Sequence, residues 1–494
     1  MKNIIIIGGG IAGLSAGIHA QQYGFRSVIY EQHSIVGGQC TGWDRKGYHI
    51  DGCIQWLTGT REGTELYDLW KNVGALGNVD IVRLDNFGTY EYEGTTITLW
   101  RDLDRLQKEL CQLSPEDKEP IEELIKEIRL VQDLEMPARM PITMRPIGEI
   151  FKFLKKMKNA GLLMNKAGMI SSEEYAKKFK HPAIRYMISA GLPEGFSIVG
   201  FIFSMATFSS GNGDIPKGGS KAMALRMKDR YEELGGKVIN SVAAEEIIIK
   251  EGQAVAVRCS DGSTAKADYV VAACDAKMVL DKLLKGQYKD KKFDMRFASE
   301  DYITPSSIQI AFGVKADLSS YPLLAAFPSR PYIIAGKEQN MVSYKNYYYE
   351  PDFAPEGCTL LITTINQTNF DYPYWSKLYE NKEEYNKEKQ RIGNEVKERL
   401  EEHYPELKGK ITVVDVATPI TYHRYTGAYK GAWMSFMMTT KTKSIAHSGR
   451  IKGLKNFYLT GQWLEPPGGL PVAATTGKFT ILKICKQEKI KVNL

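Results

Sequence analysis

No stretch of about 20 apolar residues, the length a membrane-spanning helix needs, occurs in this chain. Its seven cysteines (Cys40, Cys53, Cys111, Cys259, Cys274, Cys358, Cys485) are scattered, odd in number and never spaced as CxxC. That pattern argues against a structural disulfide framework or a zinc ribbon and suits a reduced, cytoplasmic chain. None of the seven histidines is paired with another at metal-ligand spacing, so no metal is expected. No RNP or zinc-finger signature is present, and a net charge of +7 is too small to mark a nucleic-acid binder. Low-complexity tracts, internal repeats and nucleophile–base pairs are also missing. No second GxGxxG follows a strand, so a separate NAD(P)H domain is not expected, and the external reductant or electron acceptor is left unmarked.

What is present starts at once. Ile4-Ile5-Ile6-Ile7 reads as a strand buried on both faces. Gly8-Gly9-Gly10-Ile11-Ala12-Gly13 follows as G-x-G-x-x-G. Gly8 serves the tight turn, Gly10 lets a pyrophosphate approach the backbone, and Gly13 lets the helix pack close to the strand. Small and apolar residues from Leu14 onward suit a helix between layers, with its N-terminal N–H groups facing phosphate. Val28-Ile29-Tyr30 forms the second strand, and Glu31 ends it where a carboxylate can bind a ribose hydroxyl. Lys2 before an apolar run could also open a secretory signal. That reading fails because the run lacks a convincing cleavage site and leads straight into the second strand.

At 494 residues, 43% hydrophobic and 25% charged, the chain has room for two or more soluble domains. Glu31 is followed by five residues and Gly37-Gly38, an E-x5-GG pair at the edge of the nucleotide site, and Gly47–Gly52 looks like a short strand ending in a turn. Residues 102–135 read as helical, with Leu103, Leu106, Leu110 and Leu113 on one face. The helix restarts at Ser114, with Pro115 at its first position and Asp117 as the acid of a capping box. Residues 145–166 are basic and apolar: Ile147, Ile150, Phe151, Leu154 and Met157 share a face opposite Lys152, Lys155 and Lys156. Such a helix can lie on an anionic membrane surface; the alternative is a helix packed over the core with solvated lysines. Pro216-Lys217-Gly218-Gly219-Ser220 opens a helix that runs to Leu234; Val238–Val242, the strands Glu246–Lys250 and Ala254–Cys259, a hairpin signal at Asp261-Gly262 and a buried strand over Lys266–Ala273 follow, read as a three-stranded ribbon and a return strand. Two β-rich runs, Ser306–Val314 and Thr359–Ile365, flank the aromatic cluster Tyr344, Tyr347, Tyr348, Tyr349 and Phe353, which reads as a second sheet with an apolar wall. A helix is expected over 376–404. Near the end, a strand over Phe457–Leu459 meets Gly461, a Pro/Gly loop and a small-residue helix with Pro471 near its first position.

Both ends of the chain thus carry a helix N-terminus that can face a ligand. NAD needs one of them; FAD is longer, and its ring can reach the closing loop, where a helix N-terminus would stabilise a negatively charged reduced ring. Gly8–Glu31, the E-x5-GG pair, Asp51-Gly52, Pro216-Lys217-Gly218-Gly219 with Gly235-Gly236, Asp268–Val271, Thr418-Pro419 and Leu459–Gly477 together resemble the phytoene desaturase family. That family includes carotenoid desaturases, carotenoid isomerases and a retinol saturase branch, within the wider amine-oxidase-like flavoproteins. The resemblance spans almost the whole chain in order. Gly461-Gln462 is closer to the saturase branch, although many relatives carry an acid where this chain has Gln462.

The resemblance implies an α/β fold: a Rossmann-type FAD-binding domain assembled from residues 1–77, 213–295 and 446–494. A mixed-sheet and helical substrate domain is inserted over 78–212 and 296–445. It implies noncovalent FAD on Gly8, Gly10, Ile11, Ala12, Gly13, Glu31, Gln32, Gly37, Gly38, Gln39, Val242, Gly461, Gln462, Gly469 and Leu470, with Val242 as an adenine-side backbone contact. Chemistry beyond the flavin is poorly marked. Glu465 can move a proton, and Tyr422, His423, Arg424 and Tyr425 form a polar island for a head group or a proton donor; a loop-capping carboxylate and a strand-end salt bridge are the plainer roles for these residues. The implied activity is an FAD-dependent oxidoreductase acting on carbon–carbon double bonds of an apolar, chain-like partner molecule: a carotenoid, a retinoid or a similar isoprenoid, or an unsaturated fatty acid if Arg424 holds a carboxylate. The reaction would be saturation, isomerisation or desaturation. A flavin amine oxidase and a non-enzymatic FAD-binding protein are the alternatives.

Overall fold

The computed structural model describes residues 1–190, 193, 195–442 and 446–492. Ile4 to Ile7 lie in the middle of a five-stranded parallel sheet, which explains why no residue of the run is polar. Its strands, in spatial order, are Lys237–Ile239, Arg26–Tyr30, Asn3–Ile7, Tyr269–Ala272 and Phe457–Leu459. Ile6 stands opposite Ile29 on one side and Val271 on the other. Three distant parts of the chain therefore build one sheet, and their strands all end at the same edge.

The opening helix, Ile11–Gln22, is buried along almost its whole length. It is held between the sheet and two further helices, Gly219–Glu233 and Leu470–Gln487. The approach of the closing helix is very close: a Cβ on Gly477 would stand 2.4 Å from the Ala12 carbonyl oxygen. Ser15 Oγ donates to the Ala474 carbonyl at 2.7 Å and pins the same crossing. Beside the parallel sheet sits the three-stranded antiparallel ribbon Ala244–Lys250, Gln253–Cys259 and Thr264–Lys266.

The second sheet has seven strands, in the order Ile411–Ala417, Pro305–Val314, Thr359–Thr368, Lys337–Asn346, Leu324–Ile334, Asn86–Tyr92 and Thr95–Trp100. One face buries Ile308, Ile310 and Phe312 under Ile392, Val396 and Leu400 of helix Lys382–His403. The other face turns Ala311, Leu360 and Ile362 toward the helices Leu103–Leu113, Lys118–Val131 and Val199–Ser209. The aromatic cluster at 344–353 lies along this sheet, as its composition suggested.

Several local expectations need correction. Five strands of this sheet were not expected, among them Asn86–Tyr92 and Thr95–Trp100, although Glu93 and Gly94 (φ 47° and 80°) are a two-residue hairpin turn. The helix expected over 376–404 is two helices, Tyr372–Glu380 and Lys382–His403; Asn381 breaks the run and caps the second by accepting from the N–H groups of Glu383 and Glu384. Asp117 does not complete a capping box. It accepts from the Ser114 hydroxyl at 2.8 Å and from the N–H groups of Lys180 and His181, so it ties two helical segments together.

Candidate functional site

The site begins where the opening strand turns into its helix. Gly10 forms an isolated parallel bridge with Gly37, and the Gly37 N–H donates to the Gly9 carbonyl at 2.9 Å. The E-x5-GG segment is thereby laid against the first loop. Space at Gly10 is open: a Cβ there would find nothing closer than the Gly37 carbonyl oxygen at 3.8 Å. Gly13 is the opposite case, since its Cβ would stand 1.9 Å from the Gly8 carbonyl oxygen. Glu31 is buried and bridges the same elements, accepting from the Gly9 N–H at 2.7 Å and from the His33 N–H at 2.8 Å. Burial pushes its carboxyl up, while these two N–H groups pull it back down.

The closing segment reaches this cradle from the far end of the chain. Gly461 lies against the first turn of the opening helix, with its Cβ position 3.7 Å from the Cβ of Ala12. Its N–H donates to Thr476 Oγ1 at 3.0 Å. Gln462 turns its side chain inward, and its Oε1 accepts from the Gly469 N–H at 3.2 Å, which shapes the loop that starts the closing helix at Leu470. A third loop is laced to both: Gln39 Nε2 donates to Thr426 Oγ1 and to the Ala432 carbonyl, and the Ser435 N–H donates to the Pro467 carbonyl at 3.0 Å. Ile11, Ala12, Gly37, Gly38, Gln39, Gly461, Gln462, Gly469 and Leu470 thus surround one edge of the parallel sheet.

The four residues of the polar island do not act together. Tyr422 points inward from helix Pro419–Thr426 and is buried. His423 and Arg424 are exposed on the other face. His423 Nδ1 sits 2.9 Å from the Ala428 carbonyl, and the Arg424 guanidinium lies over the Tyr379 ring at 5.3 Å. Tyr425 packs on His33 at 5.3 Å, and Gln32 approaches Gly427. The outer half of the island therefore sits beside the Glu31–His33 turn. Val242 is at this end too, with its N–H donated to the Glu31 carbonyl at 3.0 Å, so its own carbonyl is what it has to offer. Next to it, the buried Asn240 Oδ1 has no hydrogen-bond partner among the described residues.

Tyr422 belongs to a second, internal cluster. Its Oη donates to Gln309 Oε1 at 3.2 Å and accepts from Ser307 Oγ at 3.2 Å, while Gln309 Nε2 donates to the Asp51 carbonyl at 2.7 Å. The Asp51 carboxylate accepts from the Ser220 N–H at 3.0 Å. Burial pushes the Tyr422 phenol up to about 12. Lys345 completes the group. Only 1% exposed, it donates to the carbonyls of Ile54 (2.7 Å) and Gln55 (3.0 Å) and lies over the Tyr347 ring at 4.7 Å. Burial pulls its ammonium down to about 8. Gln309 and Ser307 were hidden because they stand inside an apolar strand, and Lys345 because its strand mixes charged and apolar residues; the lysine amid Tyr344, Tyr347 and Tyr349 was the available signal. Glu465 lies apart on the closing loop, where burial raises its carboxyl and the charge of Lys483 lowers it.

Residues 6–73 match the NAD(P)-binding Rossmann-like domain family. The chain is similar along its length to the chloroplastic prolycopene isomerase of Daucus carota, at 23% identity over 96% of this chain and 78% of the isomerase. It is similar to the 4,4'-diaponeurosporene oxygenase of Staphylococcus aureus (strain bovine RF122 / ET3-1), at 22% identity over 99% of both. Both relatives are named as enzymes, an isomerase and an oxygenase, and each likeness runs over nearly the whole of this chain. Among solved structures, an oxidoreductase from Methanosarcina mazei shares the fold with a TM-score of 0.60 at 17% identity, covering 97% of this chain and 100% of that one. A redesigned putrescine oxidase shares it with a TM-score of 0.62 at 13% identity, covering 98% of this chain and 99% of the oxidase. These structures share the Rossmann-type α/β architecture described above. The cradle fits a dinucleotide: Gly10 leaves room for a pyrophosphate, and Asn240 Oδ1, Thr460 Oγ1 and Trp433 Nε1 are buried without partners among the described residues.

Proposed function

We propose that this enzyme binds FAD noncovalently and uses it to saturate, isomerise or desaturate a carbon–carbon double bond of a long apolar molecule. The observation that carries this is the meeting of two helix N-termini from opposite ends of the chain, at Ile11 and Leu470, on one sheet edge. A flavin dinucleotide is long enough to use both. In this reading residues 1–77, 213–295 and 446–494 hold the cofactor, and 78–212 with 296–445 hold the substrate.

Gly8, Gly10, Ile11, Ala12 and Gly13 would receive the pyrophosphate, with Gly37, Gly38 and Gln39 closing over it. Glu31, Gln32 and the Val242 carbonyl would hold the ribose and adenine. Gly461, Gln462, Gly469 and Leu470 would face the ring. Bound FAD supplies hydride transfer. The chain's own residues orient the substrate, exclude water and handle protons. Tyr422 and Glu465 are the proposed proton-handling groups, whereas His423 and Arg424 are proposed as contacts for a substrate head group at the outer, exposed end. A carotenoid or related isoprenoid is the favoured substrate, supported by what the relatives act on by name.

The test is anaerobic. The flavin is reduced with dithionite, each polyene is added, and reoxidation and product mass are followed together. A gain of two hydrogens marks a saturase and unchanged mass with altered geometry an isomerase. Removal of two hydrogens by the oxidised enzyme marks a desaturase. Electron exchange with primary or secondary amines alone would sink the proposal in favour of an amine oxidase. In the same assay, Tyr422→Phe should slow the reaction about 100-fold with unchanged flavin affinity; an unchanged rate would assign Tyr422 to packing.

The helix Ile147–Ala167 is proposed to rest on an anionic membrane surface, a natural source of such a substrate. Ile147, Phe151 and Leu154 are 73%, 67% and 56% exposed, and Lys152, Lys155 and Lys156 are exposed beside them. No helix among the described residues is long and apolar enough to cross a membrane. In flotation with anionic vesicles at low salt the protein should rise with the lipid, and Phe151→Glu combined with Leu154→Glu should leave it behind. Retention of the unaltered protein in the soluble fraction would remove this contact.

A further inference from the structure

Cys40 and Cys53 face each other across the end of a hairpin. The hairpin pairs Gly42–Arg45 with Tyr48–Asp51, Gly42 opposite Asp51 and Asp44 opposite His49. One step beyond Gly42 and Asp51, the Gly52 N–H donates to the Thr41 carbonyl at 2.9 Å. The Thr41 N–H turns back to the Gln39 carbonyl at 3.0 Å, so the ladder ends at this bond, and Cys40 and Cys53 are the residues that flank it on the two strands. A disulfide needs cross-strand neighbours of this kind, with Cα atoms about 4.4–6.8 Å apart.

The thiols do interact. A hydrogen bond with the Cys53 side chain, followed by burial, holds the Cys40 thiol well above its ordinary value. Cys40 is 1% exposed, with its Sγ 3.4 Å from the Ser220 carbonyl, whereas Cys53 is partly exposed. Cys53 also lies within the electrostatic reach of the buried Lys345 ammonium.

We propose that Cys40 and Cys53 are a reversible dithiol–disulfide couple, oxidised by exchange with a low-molecular-weight disulfide. The Cys53 thiolate attacks one sulfur of the small disulfide, a protein–small-molecule S–S bond forms and one small thiol leaves. The Cys40 thiolate then attacks the Cys53 sulfur, the intramolecular S–S bond forms and the second small thiol leaves. Two protein thiols are oxidised and one disulfide is reduced to two thiols. The bridge joins the residue just after Gly37-Gly38-Gln39 to the residue just after Asp51-Gly52, so it fastens the glycine pair of the cradle to the strand that carries Asp51. This couple does not depend on the flavin reading, because both its oxidant and its readout are independent of bound cofactor.

The experiment incubates the full chain with oxidised glutathione, quenches with acid, and counts thiols by alkylation and mass spectrometry. Two of the seven thiols should be lost with no retained glutathione, and peptide mapping should join the Cys40 peptide to the Cys53 peptide. Reduced glutathione in excess should restore both thiols. Cys40→Ser should trap one glutathione on Cys53. If that variant fails to fold, the order in which the two thiols of the unaltered chain are alkylated replaces it, and Cys53 should react first. Retention of all seven thiols, a bridge to any other cysteine, or stable glutathione on the unaltered chain would each overturn the proposal.

Discussion

Replacing Gly10 with valine should leave the chain folded and strip it of flavin. The backbone at Gly10 has φ −71° and ψ 180°, an extended conformation open to any residue. A Cβ there meets no protein atom within 3.8 Å. The first atoms a larger side chain would contest are those of the pyrophosphate that the Gly10–Gly37 bridge frames. We expect flavin affinity to fall by at least about 100-fold, or about 3 kcal/mol, with thermal unfolding of the cofactor-free protein almost unmoved. Gly13→Ala should behave in the reverse order. Its Cβ would stand 1.9 Å from the Gly8 carbonyl oxygen, so the opening helix must shift away from its strand. The cofactor-free protein should lose about 3 kcal/mol or more of stability. Flavin titration and thermal unfolding on the two variants check both halves. Equal loss of stability at Gly10 would mean that the open space is filled by protein; unchanged flavin affinity there would move the pyrophosphate elsewhere.

The contrast also shows which parts of the fold could be read from sequence. Gly8–Gly13, Glu31 and the closing Gly461–Gly477 carry local signatures, because turn geometry and helix–strand approach dictate residue type within a few positions. The helix opening at Gly219 and the return strand at Tyr269–Ala272 were legible for the same reason. The inserted sheet was not. Strands Leu324–Ile334 and Lys337–Asn346 mix charged and apolar residues, since part of each is exposed, and no period marks them. The polar island misled in another way: four consecutive residues on a helix point in different directions, so Tyr422 joins Ser307 and Gln309 while His423 and Arg424 face outward. The internal cluster is assembled from positions 51, 220, 309, 345 and 422, and a grouping built by long-range packing leaves no trace in local spacing.

Lys345 should impose a stability change with pH that Lys345→Met abolishes. Its ammonium lies buried beside two backbone carbonyls and an aromatic ring, and no salt bridge to it is found among the described residues. Burial pulls it from 10.5 to about 8. Below pH 8 the folded and unfolded chains both carry the proton, and the cost of burying the charge is present in full. Between about pH 8 and 10.5 the unfolded chain keeps a proton that the folded chain has released, so stability rises with pH across this window. At about 1.4 kcal/mol for each pH unit, the rise amounts to about 3 kcal/mol. Lys478, also pulled down to about 8, titrates in the same window, but it is common to both proteins, so the difference between them isolates Lys345. Denaturant unfolding at about pH 7 and about pH 10.5 measures that difference. Methionine also leaves the Ile54 and Gln55 carbonyls without their donor, which lowers the variant's stability at every pH by a constant amount and leaves the slope untouched. Equal slopes in the two proteins would mean that the amine reaches water, and Lys345 would then lose its place in the internal cluster.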